Sequence, residues 1–194
     1  MKGYEDKMNI SYELERYVFD ISTADYFERF VDVGTFLECC KECPNYNTTW
    51  SCPPYDFNPK DVWKTYTSLH LIGIKILLSE EARKEEYSPI MLQKKSYQIL
   101  KDVKEILSKE LFLMEQDFAG SMALLAGSCS VCGEGKCSRR CGKACIVPEK
   151  MRYSVESIGG DVGKTAKELW GIELLWAENG RLAEYMMLVG GLLK

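Results

Sequence analysis

Seventeen consecutive residues, CSVCGEGKCSRRCGKAC at 129–145, carry five of the chain's nine cysteines. The other four, Cys39, Cys40, Cys43 and Cys52, crowd into a second short stretch. No other feature limits the fold as strongly. Segments so rich in thiols, glycine, proline and charge suit neither a buried strand nor a core helix, so both are expected as irregular loops at the edge of a body. An odd number of thiols cannot all pair. A chain of 194 residues, 46% of them apolar, can build a core without disulfides. In a reducing cytosol, tightly clustered thiols bind metal more often than they cross-link.

The spacing says how. Cys-x2-Cys lets two sulfurs from one turn reach the same centre, and further thiolates from nearby loop complete a tetrahedron or cap a cluster. Residues 129–145 offer Cys129, Cys132 and Cys137, then either Cys141 or Cys145. The set ending at Cys141 is close to the bacterial ferredoxin run, with two extra residues inside and Gly142 in place of its terminal proline. Zinc competes, because Cys132-Gly133 completes half of a zinc-ribbon pattern. Spacing favours iron–sulfur, with [4Fe–4S] the expected cluster. The cations Lys136, Arg139, Arg140 and Lys143 would offset the net negative charge of either centre. In the first stretch Cys40, Cys43 and Cys52 are three good thiols, and Cys39 adjoins Cys40 too closely for both to bind one ion. That set needs a further ligand, lends its thiols to the second, or holds a site with an open position.

The rest of the chain predicts an α+β body. Tyr12–Asp20 alternates as a strand, and Ser22 opens a helix. Asn58-Pro59 caps another helix to about Thr67, and Leu69–Leu78 is an apolar run of strand length. Ser88-Pro89 starts the longest helix, to about Met114, on a stripe of Leu92, Ile99, Leu100, Val103, Ile106, Leu107, Leu111 and Met114. Met122–Ala126 is a short strand leading into the second thiol stretch. Glu149–Ile158 reads as a helix closed by Gly159, and Asp161 caps one to about Leu169. Ile172–Glu178 and Arg181–Val189 flank Asn179-Gly180, a strong hairpin signal. The expectation is a mostly antiparallel sheet of about five strands, helices on one face, and cysteine loops at 39–54 and 129–148 on the edge of a single domain, 1–194.

Two tempting motifs fail. GGDVGKT at 159–165 lacks the first glycine of a phosphate-binding loop, since Ile158 stands there, and it follows no strand. His70 is the only histidine and lies in an apolar strand, which reads as a core or edge residue and leaves no catalytic triad to build. A net charge of −4 argues against nucleic acid. No apolar run approaches the roughly 18 residues that cross a bilayer. The start, Met-Lys-Gly-Tyr-Glu-Asp, has no secretory core, and Gly3 is one place late for myristoylation. A cytoplasmic protein without membrane or nucleic-acid partners is expected.

The stretches CCKECPNYNTTWSCPPYDF and GSCSVCGEGKCSRRCGKACIVPEKMRYSVESIGGDVGKT, with the ending EYMMLVGGLL, resemble the predicted metal-binding family called domain of unknown function 2284. The resemblance spans most of the chain. Its first block maps onto Cys40, Cys43, Pro44, Tyr46, Trp50, Cys52, Pro53 and Pro54, and the end of its second onto Ala144, Cys145, Ile146, Pro148, Glu149 and Lys150. The chain departs from the family pattern at Ala144 and at Ile146, where an arginine is common. The resemblance implies that Cys145 rather than Cys141 ends the second ligand set, and it implies metal, iron–sulfur before zinc, without naming a reaction. The expected metal ligands are therefore Cys129, Cys132, Cys137 and Cys145, with Cys40, Cys43 and Cys52.

Three functions follow. The first is an iron–sulfur protein that transfers electrons or senses redox state for a partner protein, its basic loop docking an acidic surface and Tyr46, Trp50, Tyr55 and Phe57 shielding a centre. The second is a zinc-stapled interaction module. The third is a metal-dependent enzyme with an open coordination position, for which no general base is evident.

Overall fold

Alternation decides the architecture, because the apolar run expected as a strand buries both of its faces. The computed structural model describes residues 3–5, 10–133 and 135–194. In chain order the elements are β1 (Gly3–Glu5), β2 (Ser11–Ser22), α1 (Thr23–Phe30), α2 (Val33–Lys41), α3 (Pro59–Thr65) and β3 (Ser68–Leu78). Then come α4 (Glu80–Lys84), α5 (Pro89–Asp117), β4 (Met122–Leu124), α6 (Val162–Trp170) and β5 (Tyr185–Leu193). The sheet order is β1-β2-β3-β5-β4, antiparallel between every pair of neighbours. β1 adds only three residues to the edge of a four-strand body. The α+β class agrees with the sequence reading.

The helices do not lie on one face. Even-numbered Ile72, Ile74, Ile76 and Leu78 of β3 meet Ile99, Val103, Leu107 and Leu111 of α5. Odd-numbered Leu69 and Leu71 meet Tyr26 and Phe30 of α1, Trp63 of α3, and Val155 and Ile158. A strand with apolar residues at both parities must be covered twice, each fully buried side chain contributing about 1.5–3 kcal/mol. Gly190 of β5 lets α5 approach on one side, since a Cβ there would stand 2.9 Å from Leu111 Cδ1. Gly73 of β3 makes room for Trp170 on the other, 2.6 Å from where its Cβ would be.

Local signals set most boundaries. Ser22, Asp32, Asn58, Ser79, Ser88 and Asp161 each accept a backbone N–H at the start of the helix they precede. α5 runs 29 residues, about 40 Å, from the cap expected for it. Ile106, expected in its apolar stripe, is instead 45% exposed, because the stripe drifts around the helix and only Ile99, Val103, Leu107 and Leu111 are fully buried.

Three expectations change. Cys39 and Cys40 do not begin an irregular loop but form the last turn of α2, which continues until the prolines begin. Glu149–Ile158 is not a helix. Leu125 donates its N–H to Tyr153 O at 2.8 Å and bridges Ser154, which draws the segment out beside β4. Only two short 3-10 turns survive, Pro148–Lys150 and Glu156–Ile158. Arg152 forks onto Glu115 of α5 at 2.6 and 2.8 Å and holds the extended part down. Ile172–Glu178 forms no strand, although Asn179 and Gly180 do turn through left-handed backbone. Gly180 O accepts from Tyr87 N at 2.7 Å, so the turn leans on the segment before α5 and the strand starts only at Tyr185.

Candidate metal centre

The first thiol loop is rooted in regular structure. Asp32 caps α2, accepting from Thr35 N at 3.0 Å, and the hydrogen bonds hold its carboxyl below the usual range. The far side of α2 abuts the turn Glu156–Ile158. Gly159 closes that turn at φ +91°, and a Cβ there would stand 2.7 Å from Val33 Cγ2, so only glycine allows the contact. Asp32 N donates to Gly159 O at 2.8 Å and Asp161 N to Phe30 O at 2.7 Å. Cys39 and Cys40 therefore sit in the last turn of a helix whose first turn is fastened to the body. From there the chain folds back on itself: Cys43 N reaches Cys40 O at 3.0 Å, Asn47 N reaches Pro53 O at 2.7 Å, and Cys52 N reaches Thr49 O at 3.2 Å.

The second loop has no such root. It leaves β4 and makes a tight turn in which Gly133, at φ +87°, donates to Ser130 O at 2.9 Å. A 3-10 turn, Ser138–Cys141, follows and ends at Gly142. The first loop supplies much of its support. Cys129 donates its N–H to Ser51 Oγ at 2.8 Å, and Ser51 is wholly buried. Arg139 donates to Thr49 O at 3.0 Å, to Cys52 O at 2.6 Å and to Pro54 O, while its guanidinium lies 4.8 Å over the Trp50 ring. Trp50 Nε1 donates in turn to Lys143 O at 3.1 Å. Arg139 is thus a tie between the loops, whereas Lys136, Arg140 and Lys143 are exposed cations around them. Glu134, inside this loop, lies outside the described residues.

The electrostatics show which thiols are neighbours. Burial raises the Cys132 thiol, and the next contributions come from Cys145, Cys129 and Cys137. Cys141 is exposed and is not among them. Burial pushes Cys40 up to about 11, helped by Cys52, Cys43, Glu156 and Cys39 in that order. Cys52 is raised by burial and by Cys43, against hydrogen bonds from Thr49 and Ser51 and the charge of Lys104. Each set is an assembly of thiols that oppose one another's ionisation, and a cation binding among them relieves that opposition.

Lys104 of α5 reaches up between the loops and donates to Ser128 O. Burial lowers its pKa against the attraction of Cys129, Glu156 and Cys52, so one ammonium feels a thiol from each loop. Glu156 is half-buried as a residue, but its Oε2 is sealed from solvent and has no hydrogen-bond partner among the described residues. Burial raises its carboxyl, opposed by Ser154, Lys104 and the backbone N–H groups of Glu156 and Gly127. Composition and spacing drew attention to neither residue. Lys104 sits beside an apolar stripe, and Glu156 carries no motif.

Tyr55 and Phe57 stack at 4.8 Å, with Tyr153 edge-on to Tyr55 at 5.3 Å. They wall a cleft of about 580 Å³ that Trp50, Arg139 and Cys145 also line. Of the aromatic residues expected to shield a centre, Trp50, Tyr55 and Phe57 border Cys145 of the second thiol set, Tyr153 joins them unforeseen, and Tyr46 does not line this cleft. His70 pairs across the sheet with Asp20, Nδ1 to Oδ1 at 2.8 Å, and is no part of this region. Residues 159–165 form the end of one turn and the cap of α6, where Asp161 accepts from Lys164 N at 2.8 Å.

As they stand, no three of the described His, Cys, Asp and Glu side chains converge tightly enough to hold an ion. The donor set nevertheless fits one. Eight of the nine free thiols fall into two groups that oppose one another's ionisation, with exposed Cys141 outside them, and a carboxylate oxygen without a hydrogen-bond partner among the described residues is buried nearby.

An α+β body whose two thiol-rich loops meet over a half-buried lysine defines a cysteine-rich class of protein. Residues 28–193 match the family described as Predicted metal-binding protein (DUF2284), and the chain belongs to that family. No curated protein and no solved structure matches it. Among the described residues, no helix is long and apolar enough to cross a membrane.

Proposed function

We propose that this chain is an iron–sulfur protein of electron transfer or redox sensing, working in a reducing cytoplasm as a single metal-binding domain. Cys129, Cys132, Cys137 and Cys145 hold one centre, a [4Fe–4S] cluster, and Cys40, Cys43 and Cys52 hold a second. The observation that carries this reading is the environment of Cys132, whose thiol is influenced by Cys145, Cys129 and Cys137 together. A bound cluster supplies reversible one-electron chemistry. The chain's own residues do the rest. Arg139 and Ser51 hold the loops together, Lys104 places a positive charge between them, and Tyr55, Phe57 and Tyr153 limit water on one side. Lys136, Arg140 and Lys143, exposed beside Val131 and Ile146, suit docking of an acidic redox partner.

The second reading is zinc held by the same thiols, favoured by the way the two loops are tied together as a staple would require. An enzymatic role would use an open position at the three-thiol set. Anaerobic purification with elemental analysis separates these ideas. The expected result is brown protein with iron and sulfide, whose visible absorption bleaches on reduction. Colourless protein with stoichiometric zinc would overturn the iron–sulfur reading in favour of the staple.

A further inference from the structure

We propose that two copies of this chain join through β2, pairing antiparallel about Val18 so that their sheets become one. β2 runs from Ser11 to Ser22, but β1 covers only Ser11–Glu13 of its outer edge. Among the described residues, no strand lies along that edge from Leu14 to Ser22. The backbone there is aimed outward at the even-numbered positions. Ser11 O accepts from Ser79 N at 3.0 Å and Thr23 N donates to Thr67 O at 3.1 Å, so odd positions turn their backbone toward β3 and even ones away from it. Leu14, Arg16, Val18 and Asp20 thus present one side of a ladder. Val18 O takes a long bond from Trp170 Nε1 at 3.4 Å and keeps a second lone pair.

Such an edge invites a strand unless something blunts it. This stretch of β2 has no proline, and its pairing with β3 continues without a bulge from Tyr12 to Ser22. It is also apolar on both faces, since Val18 is 51% and Phe19 37% exposed. On the Val18 face, Arg16 forks onto Glu110 of α5 at 2.5 and 2.7 Å. Ile106 and Leu113, one turn to either side of Glu110, are exposed there as well.

A second copy fits because the edge is complementary to itself. Val18 is the midpoint of Leu14–Ser22, so a two-fold axis there overlaps the whole free stretch and stops where each β1 begins. In that register Val18 meets Val18, Arg16 meets Asp20 of the partner subunit, and Tyr17 meets Phe19 of the partner subunit. Opposite charges and aromatic rings fall directly across from each other, and no like charges do. Shifting the axis by one residue to either side parts Arg16 from Asp20. The joint forms at the sheet edge remote from β4, from which the second thiol loop departs, and it does not depend on what the thiols bind.

The test uses the full chain, purified anaerobically in reductant so that no thiol cross-link can pass for an interface. Sedimentation equilibrium over a dilution series reads the mass, and far-ultraviolet circular dichroism checks the fold. Wild type should approach twice the 22.2 kDa of the single chain. Val18→Lys sets two ammonium groups face to face on the axis and should raise the dimer dissociation constant ~100-fold or more, with the spectrum unchanged. Arg16→Asp and Asp20→Arg each create like-charge pairs and should be monomeric alone. An equal mixture of the two should dimerise, because each copy then supplies the charge that the other lacks. A wild type that stays monomeric at its highest soluble concentration overturns the proposal, and so does a dimer that survives Val18→Lys. Dissociation of both charge variants without recovery in the mixture overturns the register about Val18. If either charge variant fails to fold, Val18→Lys decides: a folded monomer supports the joint, and a folded dimer refutes it.

Discussion

The two thiol loops are built on opposite principles. The first grows out of a capped helix that is pinned to the body on both sides of Gly159. The second leaves β4, returns to its side at Tyr153 and Ser154, and in between is supported by Ser51, Trp50 and the carbonyls that Arg139 collects. The first is a platform and the second is fastened to it. On the proposed reading, loading of the second centre should depend on the first loop being folded, with a weak dependence in the other direction.

The largest expected effect tests whether metal completes what the second loop lacks. At free metal about 1,000 times the dissociation constant, bound metal adds about 4 kcal/mol. Stripping it should then lower the melting temperature by roughly 8–16 °C for a chain of this size. Limited proteolysis of the stripped protein should cut at 129–147 before 39–54. Equal cleavage of both loops would erase the distinction between them.

Arg139→Ala comes next, removing three charge-assisted hydrogen bonds and the stack on Trp50. It should destabilise the metal-free protein by about 2–3 kcal/mol in denaturant titration. It should also cost the second centre its metal while the first keeps its own, as elemental analysis of a Cys40→Ser companion would resolve. Simultaneous loss from both centres would mean that the loops form one cooperative unit.

Ser51→Ala is milder. It orphans the Cys129 N–H in a buried place, a penalty of about 1–2 kcal/mol read from the denaturation midpoint. No change at all would show that Cys129 is held by Lys104 and Ser128 instead.

The smallest effect is the most discriminating. Cys141→Ser should leave metal content and melting temperature unchanged, whereas Cys145→Ser should empty the second centre. Cys141 is exposed and outside the group that influences Cys132, and Cys145 is inside it. The reverse outcome would restore the ferredoxin-like spacing.

Much of the body is legible in the sequence because its signals are local. Ser22, Asn58, Ser88 and Asp161 announce helix starts through a side-chain oxygen that accepts a neighbouring N–H, and such contacts need nothing from the rest of the chain. The apolar run at 69–78 announces a central strand for the same reason. Long-range contacts overrule local signals elsewhere. Helical periodicity over 149–158 loses to Tyr153 O accepting from Leu125 and to Arg152 on Glu115. The expected strand at 172–178 gives way when Gly180 turns toward Tyr87.

For the site, the sequence by itself determined the donor chemistry: which residues carry sulfur, how close they lie along the chain, and that a Cys-x2-Cys turn presents two of them together. Only the tertiary structure decided how the loops meet. That meeting depends on Ser51, Lys104 and Arg139, whose contacts with the loops span from 24 to 90 positions along the chain, with Glu156 beside them. A lysine beside an apolar stripe and a glutamate in a serine-rich turn look ordinary in one dimension. Burial gives them their character, because a charge out of water must find a partner, and which partner is near is a property of the fold.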